Sequence, residues 1–107
     1  MSVLEEVLLE EYERSLRISA ALEEEIAGLP RGSIRVRKVR GREYYYLQYR
    51  DGKRVKSDYV KSEDVERVRE QIELRRNDVA ALKEQRRSQR QIEKALGKEA
   101  LDGRARG

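Results

Sequence analysis

SIRVRKVRGREYYYLQYRDGKRVKSDYV, residues 33–60, is the stretch whose folding decides what the flanks can do. β-Branched and aromatic residues alternate there with charged ones, as a half-buried pleated surface prefers. The alternation breaks twice, at Arg40-Gly41 and at Asp51-Gly52. This predicts a meander of three short antiparallel strands joined by tight turns. A two-residue Arg40-Gly41 turn places Ile34 and Val36 on the face of Tyr45, Leu47 and Tyr49. The second turn has two readings, because a one-residue slip moves every side chain of a strand to the other face. A two-residue Asp51-Gly52 loop puts Arg54, Lys56 and Asp58 with Tyr45, Leu47 and Tyr49. A three-residue loop Arg50-Asp51-Gly52, with Gly52 left-handed in a bulge, pairs Leu47 with Val55 and Tyr45 with Ser57, and brings Tyr59 to that face. Only the second reading gathers the apolar residues on one side, and it is the register expected.

The opposite face then carries Arg35, Arg37, Tyr44, Tyr46, Gln48, Arg54 and Lys56, with Asp58 as its one acid. Cations among aromatic rings suit a polyanion that also has flat bases: guanidinium and ammonium groups neutralise phosphate, and tyrosine faces stack on bases. The competing reading is a solvated strand face, on which Lys and Arg stems cover tyrosine rings and edge charge prevents aggregation.

Outward from the meander, both flanks read as helices. Leu4, Leu8, Leu9, Tyr12, Leu16, Ser19, Leu22 and Ile26 recur at threes and fours, so residues 2–27 form an amphipathic helix. Ser2 is placed to cap it, with Glu5 in the capping-box position. Gly28 and Pro30 mark its stop. After the meander, Ser62 is a fair cap for a second helix over residues 62–96, with Val65, Val68, Ile72, Val79 and Leu82 as its seam. Its distal half is basic through Lys83, Arg86, Arg87, Arg90, Lys94 and Lys98, which is more often a solvated face than a groove-binding one. Residues 98–107 have no period and are expected to fray. The whole is read as one small domain, residues 1–97, with that tail.

Composition narrows the function classes. With 43% charged residues, and neither Phe nor Trp, 107 residues cannot bury a thick core, so self-association or a partner helix is expected. The charge is uneven. Residues 1–30 hold two basic and eight acidic side chains, residues 31–60 ten and three, so an acidic helix precedes a basic sheet. With neither His nor Cys, the commonest general base, the usual zinc ligands and the thiol nucleophile are missing. No phosphate-binding loop or nucleophile elbow appears. Hence neither an enzyme, a cofactor nor a small-molecule substrate is expected. No apolar run approaches a membrane span, and a soluble, cytoplasmic protein is expected.

LPRGS at 29–33, followed by YYYLQYRDGKRVKSDYV at 44–60, resembles a family of short bacterial and archaeal proteins of unknown function. Their pattern is LPxGS…YYYLxYRxGKxVxSxYV followed by a charged helix, and the likeness covers about residues 29–75. The tyrosine-arginine hairpin is also similar, more loosely, to the N-terminal β-meanders of some transposases and to the arm-type DNA-binding domains of tyrosine recombinases. That second resemblance implies DNA contact by the sheet, with Arg35, Arg37, Tyr44, Tyr46, Arg54 and Lys56 as its candidates. No catalytic recombinase residue accompanies it.

The expected architecture is therefore α+β: an N-terminal helix, a three-stranded antiparallel β-meander and a long C-terminal helix. The expected function is a small nucleic-acid-binding module, for DNA first, making mainly backbone contacts. The alternative is a coiled-coil adaptor whose long helix pairs with itself or with a partner.

Overall fold

The first helix, α1, spans Val3–Ala27 in a computed structural model that describes residues 2–97. The tail expected to fray lies outside the described residues. The Ser2 hydroxyl accepts from the Glu5 amide at 3.2 Å and donates to the Glu5 carboxylate at 3.2 Å, which satisfies one of the orphan amides that open every helix. Three strands follow, β1 (Ser33–Val39), β2 (Arg42–Asp51) and β3 (Arg54–Val60), in one antiparallel sheet of order β1-β2-β3. The second helix, α2, spans Val65–Leu96. The chain is thus α+β, as expected.

The start of α2 differs from the expectation. Ser62 does not cap the helix. It opens a 3₁₀ turn, Ser62–Asp64, with Lys61 in the capping position and no side-chain cap bond. The far end closes as its glycine predicts, with the Gly97 amide donating to the Glu93 carbonyl at 2.9 Å.

The described residues divide into two compact units, one from residues 28–77, the other from α1 together with α2 from Asp78 onward. In the first unit, Ile34 of β1 and Ile72 of α2 line one pocket with Gly32, Arg69 and Arg76. Val60, Val65 and Ile72 are buried there, so the early turns of α2 cover one face of the sheet. Gly32 is required where β1 begins: its φ is 114°, and a Cβ there would overlap the carbonyl oxygen of Gln48.

In the second unit the two helices run antiparallel. Tyr12 donates to the Glu93 carboxylate at 2.8 Å, and Arg86 donates to Glu23 at 2.8 Å. Between these ties the seam is polar. Ser15 donates to the Gln85 side chain at 2.7 Å, and the Gln89 amide donates to Ser15 at 3.1 Å and Ser19 at 2.8 Å. Leu9 and Leu82 are this unit's buried apolar residues, beside buried Ser15, Ser19 and Asp78. Three expected apolar positions are corrected here. Leu4 and Leu16 of the α1 face are 68% and 44% exposed, and Val79 of the α2 seam is 44% exposed; Ser15 and Asp78, adjacent to Leu16 and Val79, take the inward positions, because hydrogen bonding rather than apolar area closes this part of the seam.

Candidate functional site

The faces of the meander follow from its two turns. Arg40-Gly41 is a two-residue turn, with Arg40 at φ 51° and Gly41 at φ 83°, the doubly left-handed signature whose twist matches the strands it joins. Ile34 therefore pairs with Leu47, Val36 with Tyr45, and Arg35 with Tyr46, the register read from the sequence.

The second turn departs from that reading. Asp51 pairs with Arg54, leaving Gly52-Lys53 as the two-residue loop. Gly52 is left-handed at φ 62° while Lys53 is not, the sign pattern of a turn with glycine at its first central position. The expected three-residue bulged loop is absent. Leu47 pairs with Asp58, not Val55, and Tyr45 with Val60, not Ser57. Arg54, Lys56 and Asp58 consequently share the face of Tyr45, Leu47 and Tyr49, and Tyr59 leaves it. Of the expected site, Arg35, Arg37, Tyr44 and Tyr46 stay together, whereas Arg54 and Lys56 are on the other side of the sheet.

The correction sharpens the electrostatics. All three acids of the meander, Glu43, Asp51 and Asp58, now fall on the helix-covered face, and each has a local partner. Lys56 meets Asp51 at 2.8 Å, and Tyr45 donates to Glu43 at 3.0 Å. Tyr49 hydrogen-bonds Asp58, which with some burial raises its phenol above the ordinary value. The open face keeps no acid. It carries Arg35 and Arg37 on the edge strand β1 and Arg42 and Arg50 at the two ends of β2. Tyr44, Tyr46 and Gln48 form its centre, with Val55, Ser57 and Tyr59 along β3. Arg42, Arg50 and Tyr59 were not among the residues anticipated: the facing of Tyr59 depends on the register of the second hairpin, the expected three-residue loop includes Arg50, and Arg42 follows from the alternation along β2 alone.

Contacts on this face are short-range and mutual. Arg35 donates to the Gln48 side chain at 3.1 Å. The Arg37 guanidinium lies over the Tyr46 ring, 5.6 Å from its centroid, an attraction of roughly 0.5–1 kcal/mol at an exposed site. Tyr46 and Tyr59, cross-strand partners, meet edge to face at 6.0 Å and 70°. Arg35, Arg37, Tyr46, Gln48 and Ser57 also line a shallow depression. Tyr59 is 60% exposed and Val55 57% exposed, so aromatic and apolar surface is presented to solvent beside the arginines.

The basic distal half of α2 has a different character. Arg86 is held by Glu23 and Arg87 lies 3.6 Å from Glu84, so its charges are partly matched within the helix pair. No group of carboxylates that could hold a metal ion occurs among the described residues, and none of the described helices is long and apolar enough to cross a membrane.

No match is found among the curated proteins or among the solved structures. One family model does match, the Domain of unknown function (DUF6788), over residues 9–70. That span takes in most of α1, the entire meander and the opening turns of α2, more than half of the 107 residues. The chain therefore belongs to the DUF6788 family, whose function is unknown.

Proposed function

We propose that this protein is a non-enzymatic nucleic-acid-binding module, and that the open face of the meander is its binding surface. The observation that carries the reading is charge segregation: four arginines and three tyrosines share one face without an acid, while every acid of the meander lies on the other. The layout is two-lane. Arg35 and Arg37 alternate along β1 and provide a track for phosphates, while Tyr44, Tyr46 and Tyr59 offer flat surfaces to bases on the neighbouring strands. Because stacking needs unpaired bases, a single strand fits this arrangement better than a duplex. Arg37 has two uses in the mechanism. In the free protein it covers Tyr46; on binding it turns to a phosphate and frees the ring for a base. Contact is mainly with the backbone, so sequence preference is weak. Arg54 and Lys56, on the covered face, contribute little.

The test is binding of the purified chain to labelled single-stranded DNA, single-stranded RNA and duplex DNA across a salt series. Affinity should fall steeply with salt, and the single strands should bind more tightly than the duplex. An Arg35→Ala/Arg37→Ala variant with unchanged circular dichroism should show a shallower salt slope, by about two phosphate contacts. Absence of binding to all three probes at low salt overturns the proposal and leaves the helix pair, as a coiled-coil adaptor, as the functional part of the chain.

A further inference from the structure

The surface of α1 that α2 leaves open has an internal order of its own. Leu4, Val7, Glu11, Arg14, Ile18 and Ala21 recur at alternate steps of three and four, forming one straight stripe along the helix. The residues that meet α2, namely Leu9, Tyr12, Ser15 and Ser19, are centred about a third of a turn away around the helix at 3.6 residues per turn. The stripe is open to solvent at its N-terminal end, with Leu4 at 68% and Val7 at 49% exposed, while Ile18 is half-buried. Glu11, Arg14 and Ile18 form one wall of a groove whose other wall is Gln85, Ser88 and Ile92 of α2.

We propose that a second copy of this chain seats on this stripe, the two α1 helices running antiparallel about a two-fold axis midway between Glu11 and Arg14. The stripe is complementary to its own reverse. In that register Leu4 faces Ala21 of the second copy, Val7 faces Ile18, and Glu11 faces Arg14, each pairing occurring twice as two-fold symmetry requires. The flanking row gives the same result, with Glu10 facing Arg17. Arg14 and Arg17 are the two basic residues of α1, and this single register sets both against acids. Of the remaining acids, Glu5, Glu6, Glu13, Glu23 and Glu24 take positions outside the stripe, and Glu25 continues it one step past Ala21, beyond the last pairing, where it hydrogen-bonds Asp78 of α2. A parallel pairing would instead set Glu11 against Glu11 and Arg14 against Arg14, so charge selects the antiparallel arrangement. A dimer of this kind joins two helix pairs into four helices, each meeting one neighbour through the Ser15–Ser19 side and another through the stripe. In the free chain Arg14 lies 3.6 Å from Glu11 of its own helix; in the dimer both side chains are also within reach of their counterparts.

Light scattering across a dilution series tests this with the full chain. A dimer that dissociates on dilution is expected. Glu11→Arg or Arg14→Glu alone should weaken self-association by about tenfold or more, by setting like charges together, and the double exchange E11R/R14E should restore it. Because the chain has no cysteine, Leu4→Cys/Ala21→Cys gives an independent readout that does not rest on charge. Oxidation should give a covalent dimer from the pair, whereas Leu4→Cys alone should give none. A monomer at every concentration overturns the proposal. So does a dimer indifferent to the charge exchanges, or one cross-linked by Leu4→Cys alone, which would signify a parallel pairing.

Discussion

The meander and the helix pair distribute their polar residues by opposite rules. In the meander, register sorts charge by face, with every acid on the covered side and an acid-free row of arginines and tyrosines on the open side. In the helix pair, polar groups are drawn into the contact itself, where Ser15, Ser19, Gln85 and Gln89 hydrogen-bond between buried Leu9 and buried Leu82. The difference teaches where each unit is specified. A sheet face is fixed by the length and handedness of its turns, so function can be concentrated on it with little change to the core. A two-helix seam with few apolar residues must use hydrogen bonds to choose its alignment.

The sharpest way to break the comparison is to exchange which face loses its cations. Removing Arg35, Arg37, Arg42 and Arg50 together should lower nucleic-acid affinity by about a hundredfold or more at moderate salt. Removing Arg54 and Lys56 should leave affinity within about twofold. Equal losses from the two variants, measured by fluorescence anisotropy, would refute the segregation of function to one face.

Next in size is the core of the helix pair. Leu9 is 1% exposed, and Leu9→Ala should cost about 2–4 kcal/mol by lost burial and the cavity left behind. Leu16→Ala, at a position the periodicity places on the apolar face of α1, should cost less than about 1 kcal/mol because Leu16 remains 44% exposed. Urea titration of the two variants decides the assignment. Gln89→Ala comes third. It strips the Ser15 and Ser19 hydroxyls of a shared donor and should cost about 1–2 kcal/mol. Adding Ser19→Ala to it should recover part of that loss, since the buried Ser19 hydroxyl is then gone, whereas Ser15 keeps its bond to Gln85.

The smallest effect concerns protons. Glu25 has its carboxyl pushed above the ordinary range by a hydrogen bond to Asp78, then by the Asp78 charge and by burial. Asp78 is 8% exposed, and its Oδ2 has no hydrogen-bond partner. A raised value in the folded state means the protonated pair stabilises: the contribution is complete below the ordinary carboxylate range and is lost as pH rises through the raised value. Glu25→Gln retains a donor at every pH. Its Tm should exceed that of the parent at neutral pH, and the gap should close on acidification. A gap that widens on acidification would reverse the sign of the effect.

Much of the fold was legible because its signals are local. The helical span of α1, the Ser2–Glu5 capping pair, the Arg40-Gly41 turn and the terminal Gly97 each act within a few residues, and the structure realises them all. The site was half legible. Arg35, Arg37, Tyr44 and Tyr46 depend on the first turn alone, whereas Arg54 and Lys56 depend on the second. There the preference for collecting apolar residues misleads. Val55 and Tyr59 stay in solvent, and the left-handed glycine at the first loop position sets the register instead. Ser15 and Asp78 were illegible for a related reason: hydrophobic periodicity cannot register a seam closed by hydroxyls, amides and a carboxyl group.

Arg40 carries a consequence for anyone who would improve this protein. Its φ of 51° is a conformation that disfavours most side chains by about 1–2 kcal/mol and asparagine by less. A selection for heat resistance would therefore favour Arg40→Asn, and in doing so would take a positive charge from the tip of the first hairpin. If the open face holds polyanions as proposed, lineages bred for durability alone would drift toward a weaker hold on them, so a useful screen must reward the two traits together.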